Sequence, residues 1–168
     1  ASSDFHARFQ ATAKQYRYFV WNHSAMNPLI RATAWHVPRA LAMTRMRQAA
    51  RAFVGRHNFQ SVAANPGYKK ASTIRTLYRC GVTRKGALLT FTIEGDGFLY
   101  KMCRGIVGTI VQAGQGKISP GAIPGMLASG DRRVAGMSAP AHGLILWKVS
   151  YPSRRRRLPS SSHERRPR

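Results

Sequence analysis

Acidic residues are nearly missing from this chain. Asp and Glu together number five against 28 Lys and Arg, a formal net charge of +23 over 168 residues. So few carboxylates cannot balance the cations, and the excess repels itself unless a polyanion joins it. Cysteine is scarce as well: Cys80 and Cys103 lie in apolar periodic surroundings. They supply neither a disulfide framework nor a zinc site, so reduced, buried thiols in a cytosolic protein are the simplest account. No apolar run approaches the ~18 residues needed to span a bilayer, and no charged-then-apolar leader opens the sequence. A soluble, unexported, cytoplasmic protein that uses no membrane is expected. No internal repeat, Gly-rich phosphate cradle or metal-ligand cluster is visible, so no metal and no cofactor are expected. The first residue is Ala1, which fits a chain that begins partway through a longer gene product.

What is present points to nucleic acid. Arginine outnumbers lysine 21 to 7, and its planar fork suits phosphates and base faces. Residues 153–168 hold seven arginines and one glutamate, or +6, which leaves +17 on the body. A membrane surface is the competing polyanion, but no basic amphipathic helix with an aromatic face stands out. Hydrophobic residues make up 43% of the sequence, enough for a real core. The length bounds the chain to one ordinary domain or half of a two-domain protein. The expected division is a folded domain over 1–152 and a basic, disordered tail over 153–168.

The chain is organised around the run GDGFLYKMCRGIVGT, from Gly95 to Thr109. Leu99, Met102, Cys103, Ile106, Val107, Ile110 and Val111 recur at the spacing of one helical face, predicting a helix of about four turns from near Phe98. Asp96 between two glycines is its expected cap. Arg104 falls at the edge of the apolar face, and pattern alone lets it reach solvent along its stem. Gly105 and Gly108 lie on the opposite side with Lys101 and Gln112. Each costs about 1 kcal/mol against Ala, and they fit the close approach of another backbone or a ligand.

Elsewhere the pattern is mixed. Lys14 to Trp21 alternates as a strand with Tyr16, Tyr18 and Val20 on an apolar face and Arg17, Phe19 and Trp21 on a mixed one. Such aromatics serve a core, and basic neighbours also suit them to base stacking. His23 to Pro38 reads as a connection broken at Asn27-Pro28. Thr44 is expected to cap a helix through Met46, Ala49, Ala50, Phe53 and Val54, with Arg45, Arg47 and Arg51 outward. Thr73–Val82 and Ala87–Glu94 form a hairpin about a Lys85-Gly86 turn, with Ile74, Leu77, Val82, Leu88, Phe91 and Ile93 as its apolar contacts. The loop before it presents Lys69 and Lys70. Ser119-Pro120 opens a short helix to about Ser129. Leu144 to Tyr151 is the last strand, with Leu144, Leu146 and Val149 in the core. Glu94 and Asp96 are the only close acidic pair; as catalytic carboxylates they would need a cleft and separated pKa values.

GDGFLYKMCRGIVGT resembles the third motif of the TruA-type tRNA pseudouridine synthases, departing from it at Cys103 and Gly105. FHARF with KQYRY, the NP…R…WH segment, GRHNFQSV and AGMSAPAHGLILWKVSY also resemble stretches of that family, in order, from Asp4 to Pro152. The resemblance implies an α+β fold with a mostly antiparallel sheet, helices packed on one face and an RNA-binding cleft on the other. The order of strand, helix, hairpin, two helices and strand agrees with that class independently. It implies a cofactor-free reaction that breaks the uridine C1′–N1 bond, rotates the uracil and rejoins it through C5, in the anticodon stem-loop of tRNA. By the resemblance Arg104 pairs with a catalytic aspartate, and Tyr16 stacks on the uracil with a role in proton removal. Arg8, Arg31, His36, Arg75, Lys101, His142 and Leu144 become RNA- or substrate-binding candidates, with Ala141 another possible cleft wall. His57 and Phe59 take structural roles, and Asp96 is excluded as nucleophile because the family tolerates Asn there. Homodimers are implied for the full-length protein. No segment matches the family's aspartate motif, so the expectation is a C-terminal half, inactive by itself. The alternative is a non-catalytic basic RNA-binding protein derived from the synthase fold.

Overall fold

The computed structural model describes residues 5–65, 67 and 71–152. Lys69, Lys70 and the basic tail from residue 153 lie outside the described residues. Among the described residues six strands form one sheet: β1 (Ala13–Trp21), β2 (Trp35–His36), β3 (Gly55–Asn58), β4 (Ile74–Lys85), β5 (Leu88–Gly95) and β6 (Leu144–Ser150). Their order is β2-β1-β5-β4-β3, with β6 also on β1. Every pairing is antiparallel except β1 with β2. Three α-helices accompany them among the described residues: α1 (Met43–Arg51), α2 (Met102–Gly114) and α3 (Ile123–Ser129). This is an α+β domain with helices packed on one face of its sheet.

The long β4–β5 hairpin is made by a two-residue turn, Gly86-Ala87, since Lys85 pairs with Leu88. Gly86 has φ +59° and Ala87 does not share the left-handed region, so glycine takes the one position where a Cβ is unwelcome. A register shift between Leu77 and Arg79 moves the inward side from odd to even numbers. Leu77, Cys80 and Val82 are therefore all buried. On β1 the even residues Tyr18 and Val20 enter the core with Leu89, Phe91 and Ile93 of β5. Ile74, even-numbered and before that shift, faces away from the core and is exposed.

Helix α2 begins four residues later than its periodicity predicts. The chain first turns through 96–101, and Lys101, with φ +57°, stands at the helix N-cap without a side-chain cap. Asp96 is not a cap. Its Oδ1 accepts from the Thr76 amide at 3.0 Å and its own amide donates to the Thr76 carbonyl at 3.1 Å, which ties the turn to β4. Thr44 is also not a cap, since α1 follows Ala42 with no side-chain cap bond.

Only Arg104 and Gln112 of α2 escape full burial. The second face is covered because its glycines admit backbone: a Cβ at Gly105 would collide with the Val62 carbonyl, and one at Gly108 with the Met137 carbonyl. The segment before β6 is thereby laid across the helix. The Gly136 amide donates to Thr109 Oγ1 at 3.2 Å, the Met137 amide to Gln112 Oε1 at 2.9 Å, and the Ala139 amide to the Arg104 carbonyl at 3.0 Å. Phe59 is buried and the His57 ring bonds the Val54 carbonyl at 3.0 Å, both within the scaffold. Leu146, read from sequence as core, is 50% exposed because β6 pairs only with β1 and carries a bulge opposite Gln15 and Tyr16.

Candidate active site

Where β1 passes the turn that leads into α2, the helical layer leaves a cleft of about 310 Å³. Tyr16, Phe98, Leu99, Met102, Cys103 and Leu144 make its walls, with Arg8, Tyr100 and Lys101 at the rim. Its position follows from alternation: Tyr16 lies on the same face of β1 as buried Tyr18, one pleat nearer the end of the strand. The cleft therefore opens on the helix-bearing face. The resemblance instead implied an RNA-binding cleft on the face away from the helices, whereas this recess lies on the helix side.

Tyr16 and Phe98 meet edge to face, with ring centroids 4.9 Å apart and planes at 79°. The geometry is favourable for aromatic pairs and fixes the plane of the tyrosine. Burial raises the Tyr16 phenol above its ordinary value, with the neighbouring Cys103 thiol as the smaller cause. The phenol is thus neutral at physiological pH, a stacking surface and a hydrogen-bond donor. The two cysteines are free and buried. Burial pushes Cys80 up to about 12, and Cys103, further raised by the Cys80 charge, also stays a thiol.

Arg104 sits beneath the segment that ends in Leu144. Its Nε donates to the Ala139 carbonyl at 2.6 Å while its own carbonyl accepts from the Ala139 amide at 3.0 Å. Tyr18 Oη donates to the next carbonyl, Pro140, at 2.7 Å. The Tyr18 phenol is raised by burial, and the Arg104 charge partly opposes that shift. This clamp sets where Leu144 enters the cleft. The terminal nitrogens of Arg104 make no hydrogen bond among the described residues, and the side chain is half-buried.

The structure brings together Tyr16, Leu144, Arg8 and Lys101 of the sequence candidates, while Arg104, next to the wall residue Cys103, is bonded to Ala139. The others are placed elsewhere. His36 Nε2 lies 2.9 Å from the His23 carbonyl, and His142 Nε2 lies 3.2 Å from the Ala34 carbonyl. Arg31 is exposed after a single turn at Pro28–Ile30. Arg75 bonds the Ser72 and Ile74 carbonyls and lies against Gly97, near the turn but outside the cleft walls. Ala141 is likewise not a wall. Sequence reasoning missed Phe98, whose signal was its place two residues after Asp96 in the GDGF run, and Tyr18, which shares a strand face with Tyr16. Among the described residues the carboxylates are committed away from the cleft. Glu94 accepts from Gln15 at 2.8 Å, Asp96 holds Thr76, and Asp131 pairs with Arg133 at 2.8 Å.

Fold and cleft together define a very basic α+β domain with an aromatic-walled recess suited to a base held out of its stack. The tRNA pseudouridine synthase family profile matches residues 49–152, and the chain belongs to that family. It is 40% identical over 149 residues to tRNA pseudouridine synthase A of Methylacidiphilum infernorum, covering 89% of this chain and 58% of that protein. It is 46% identical over 155 residues to the same-named protein of Geobacillus kaustophilus, covering 90% and 58%. With that of Bacillus subtilis it shares 42% over 151 residues, covering 90% and 61%. The chain thus spans about three-fifths of the length of the curated relatives it matches.

These matches correct two expectations from the sequence. They run along nearly the whole chain and take in more than half of each relative, so the reading as an inactive C-terminal half does not stand. The alternative, a non-catalytic binding protein, has no counterpart among these relatives, each of which is named a synthase. Among the described residues no helix is long and apolar enough to cross a membrane.

Proposed function

We propose that this chain binds tRNA and receives a uridine in the cleft between β1 and α2, in the service of uridine-to-pseudouridine isomerisation. The observation that carries the reading is the Tyr16–Phe98 pair, held edge to face at the wall of a cleft rimmed by Arg8 and Lys101. Turning a base out of its stack costs a few kcal/mol. Stacking on an aromatic ring returns about 1–3 kcal/mol, and the rim cations grip the flanking phosphates. Leu144 closes the other side of the uracil plane, positioned by the Arg104 clamp. The free ends of Arg104 face the role the resemblance gives them, stabilising a carboxylate in its ionised form. Homodimerisation belongs to the same reading and rests on the resemblance, whereas a cytoplasmic location rests on the free, buried cysteines.

The role of Tyr16 can be separated from general affinity for RNA. Tyr16→Ala is expected to weaken binding of a tRNA transcript about 10- to 100-fold, the range of one lost stack, whereas Tyr16→Phe binds as the parent does. The phenol is raised by burial, so its proton stays on below pH 10 and is lost only as the pH rises through the raised value. Wild-type binding is therefore expected to show no inflection from this residue between about pH 6 and pH 9. Fluorescence anisotropy across that range checks both points. Equal affinity of the Ala and Phe variants would remove Tyr16 from the site.

A further inference from the structure

The outer face of α1 carries charge that neither the fold nor the cleft uses. Met46, Ala49 and Ala50 are buried, while Arg45, Arg47 and Arg51 are exposed on the other side. No acidic residue stands in the helix MTRMRQAAR. Arg47 and Arg51 are four residues apart, a spacing at which like charges face one another and destabilise an isolated helix. Among the described residues the ion pair is Asp131 with Arg133, so no carboxylate neutralises α1. Arg45 has a structural use: its guanidinium lies over Gly116, beside the negative end of α2. Arg47 and Arg51 make no hydrogen bond among the described residues.

The position of this face is as informative as its charge. The Ala42 amide, at the start of α1, donates to the Gly114 carbonyl, at the end of α2. The cleft adjoins the other end of α2, at Met102 and Cys103. A helix of 13 residues is about 20 Å long, so the start of α1, with Arg45 and Arg47 in the turns that follow it, lies at the far end of α2 from the cleft. Only an extended ligand reaches both. Planar, forked cations without counter-ions match the phosphates of a nucleic-acid backbone.

We propose that Arg47 and Arg51, flanked by Arg45, form a second docking surface for the RNA sugar–phosphate backbone, engaging tRNA away from the target nucleotide. This rests on the reading of the chain as a tRNA-binding protein. The surface positions RNA and reads no sequence, because phosphate contacts carry no base information.

The test is the salt dependence of binding of a labelled tRNA transcript by the intact chain. Each neutralised phosphate contributes about −0.9 to the slope of log K against log salt. Arg47→Gln/Arg51→Gln should make that slope shallower by about 2 and lower affinity about 10- to 100-fold at roughly 0.1 M salt. Gln is a good helix former, so circular dichroism and melting temperature should match the parent. Arg47→Lys/Arg51→Lys should keep the slope, which separates lost charge from a disturbed fold. An unchanged slope in the Gln variant, with the Tyr16 contrast still present, overturns this surface and leaves the cleft reading standing. Loss of binding to phosphatidylserine vesicles with tRNA binding intact overturns it in favour of a membrane. Failure of the parent chain to bind tRNA overturns both proposals.

Discussion

Alanine in place of Gly108 is expected to lower the melting temperature by about 10 °C. The added Cβ would meet the Met137 carbonyl, with the Ala139 amide also within contact distance at 3.2 Å. Both obstacles are backbone, so no rotamer change relieves the collision. Overpacking of this kind costs about 1–3 kcal/mol, and more where the neighbour cannot move. The better helix propensity of Ala returns only about 1 kcal/mol. With both obstacles backbone, a gross cost of about 4 kcal/mol less that return leaves a net loss of roughly 3 kcal/mol, which converts to about 6–12 °C for a domain of this size. Gly125 of α3 is the internal control. A Cβ there meets nothing within 4 Å, so Gly125→Ala should leave stability unchanged or raise it by up to about 1 kcal/mol. A differential melt of the two variants checks the argument, and Gly108→Ala melting at or above the parent would refute it. The consequence reaches function, because Met137 leads to Ala139, Ala139 to Arg104, and the same segment to Leu144.

Truncating Arg104 to alanine is expected to cost about 2 kcal/mol of stability and a larger share of uridine capture. The bond from its Nε to the Ala139 carbonyl is short, 2.6 Å, and Ala139 is fully buried. A hydrogen bond from a charged donor is worth about 1.5–3 kcal/mol. Its loss leaves the carbonyl without that donor and loosens the path to Leu144. General tRNA affinity should scarcely change, since one positive charge of many is removed. The yield of a uridine-specific photocrosslink in the cleft should fall at least about 10-fold, a factor worth 1.4 kcal/mol. Arg104→Lys keeps the charge but not the fork and should restore little. If crosslink yield and tRNA affinity fell together in proportion, Arg104 would be a general RNA contact and not a positioning residue.

Local pattern made much of this fold legible. The alternation of β1, the hairpin of β4 and β5, and the apolar face of α2 all follow from residues close in sequence. The features that escaped depend on partners far along the chain. Strand β2 has two residues and exists because Val20 and Trp21 pair with Trp35 and His36. Strand β3 follows from pairing with β4. Asp96 reads as a cap from its neighbours, but its acceptor is used by Thr76, twenty residues away. The site divides in the same way. Tyr16, Lys101 and Leu144 were legible as candidates because they lie in distinctive runs. His36 and His142 look equally eligible in one dimension, yet each ring is turned onto a main-chain carbonyl of another segment. Gly105 and Gly108 could be read as sites of close approach, but what approaches them lies at Val62 and Met137.

The central claim is that a uridine of tRNA enters between Tyr16 and Leu144 on the helix-bearing side of the sheet. Its most direct test replaces tRNA uridines with 4-thiouridine, irradiates the complex and identifies the attached peptides by mass spectrometry. The account predicts attachment within residues 14–18, 98–103 or 144–146, and loss of that attachment in Tyr16→Ala. Attachment confined to the opposite face of the sheet, around Phe19, Thr90 and Thr92, would contradict it.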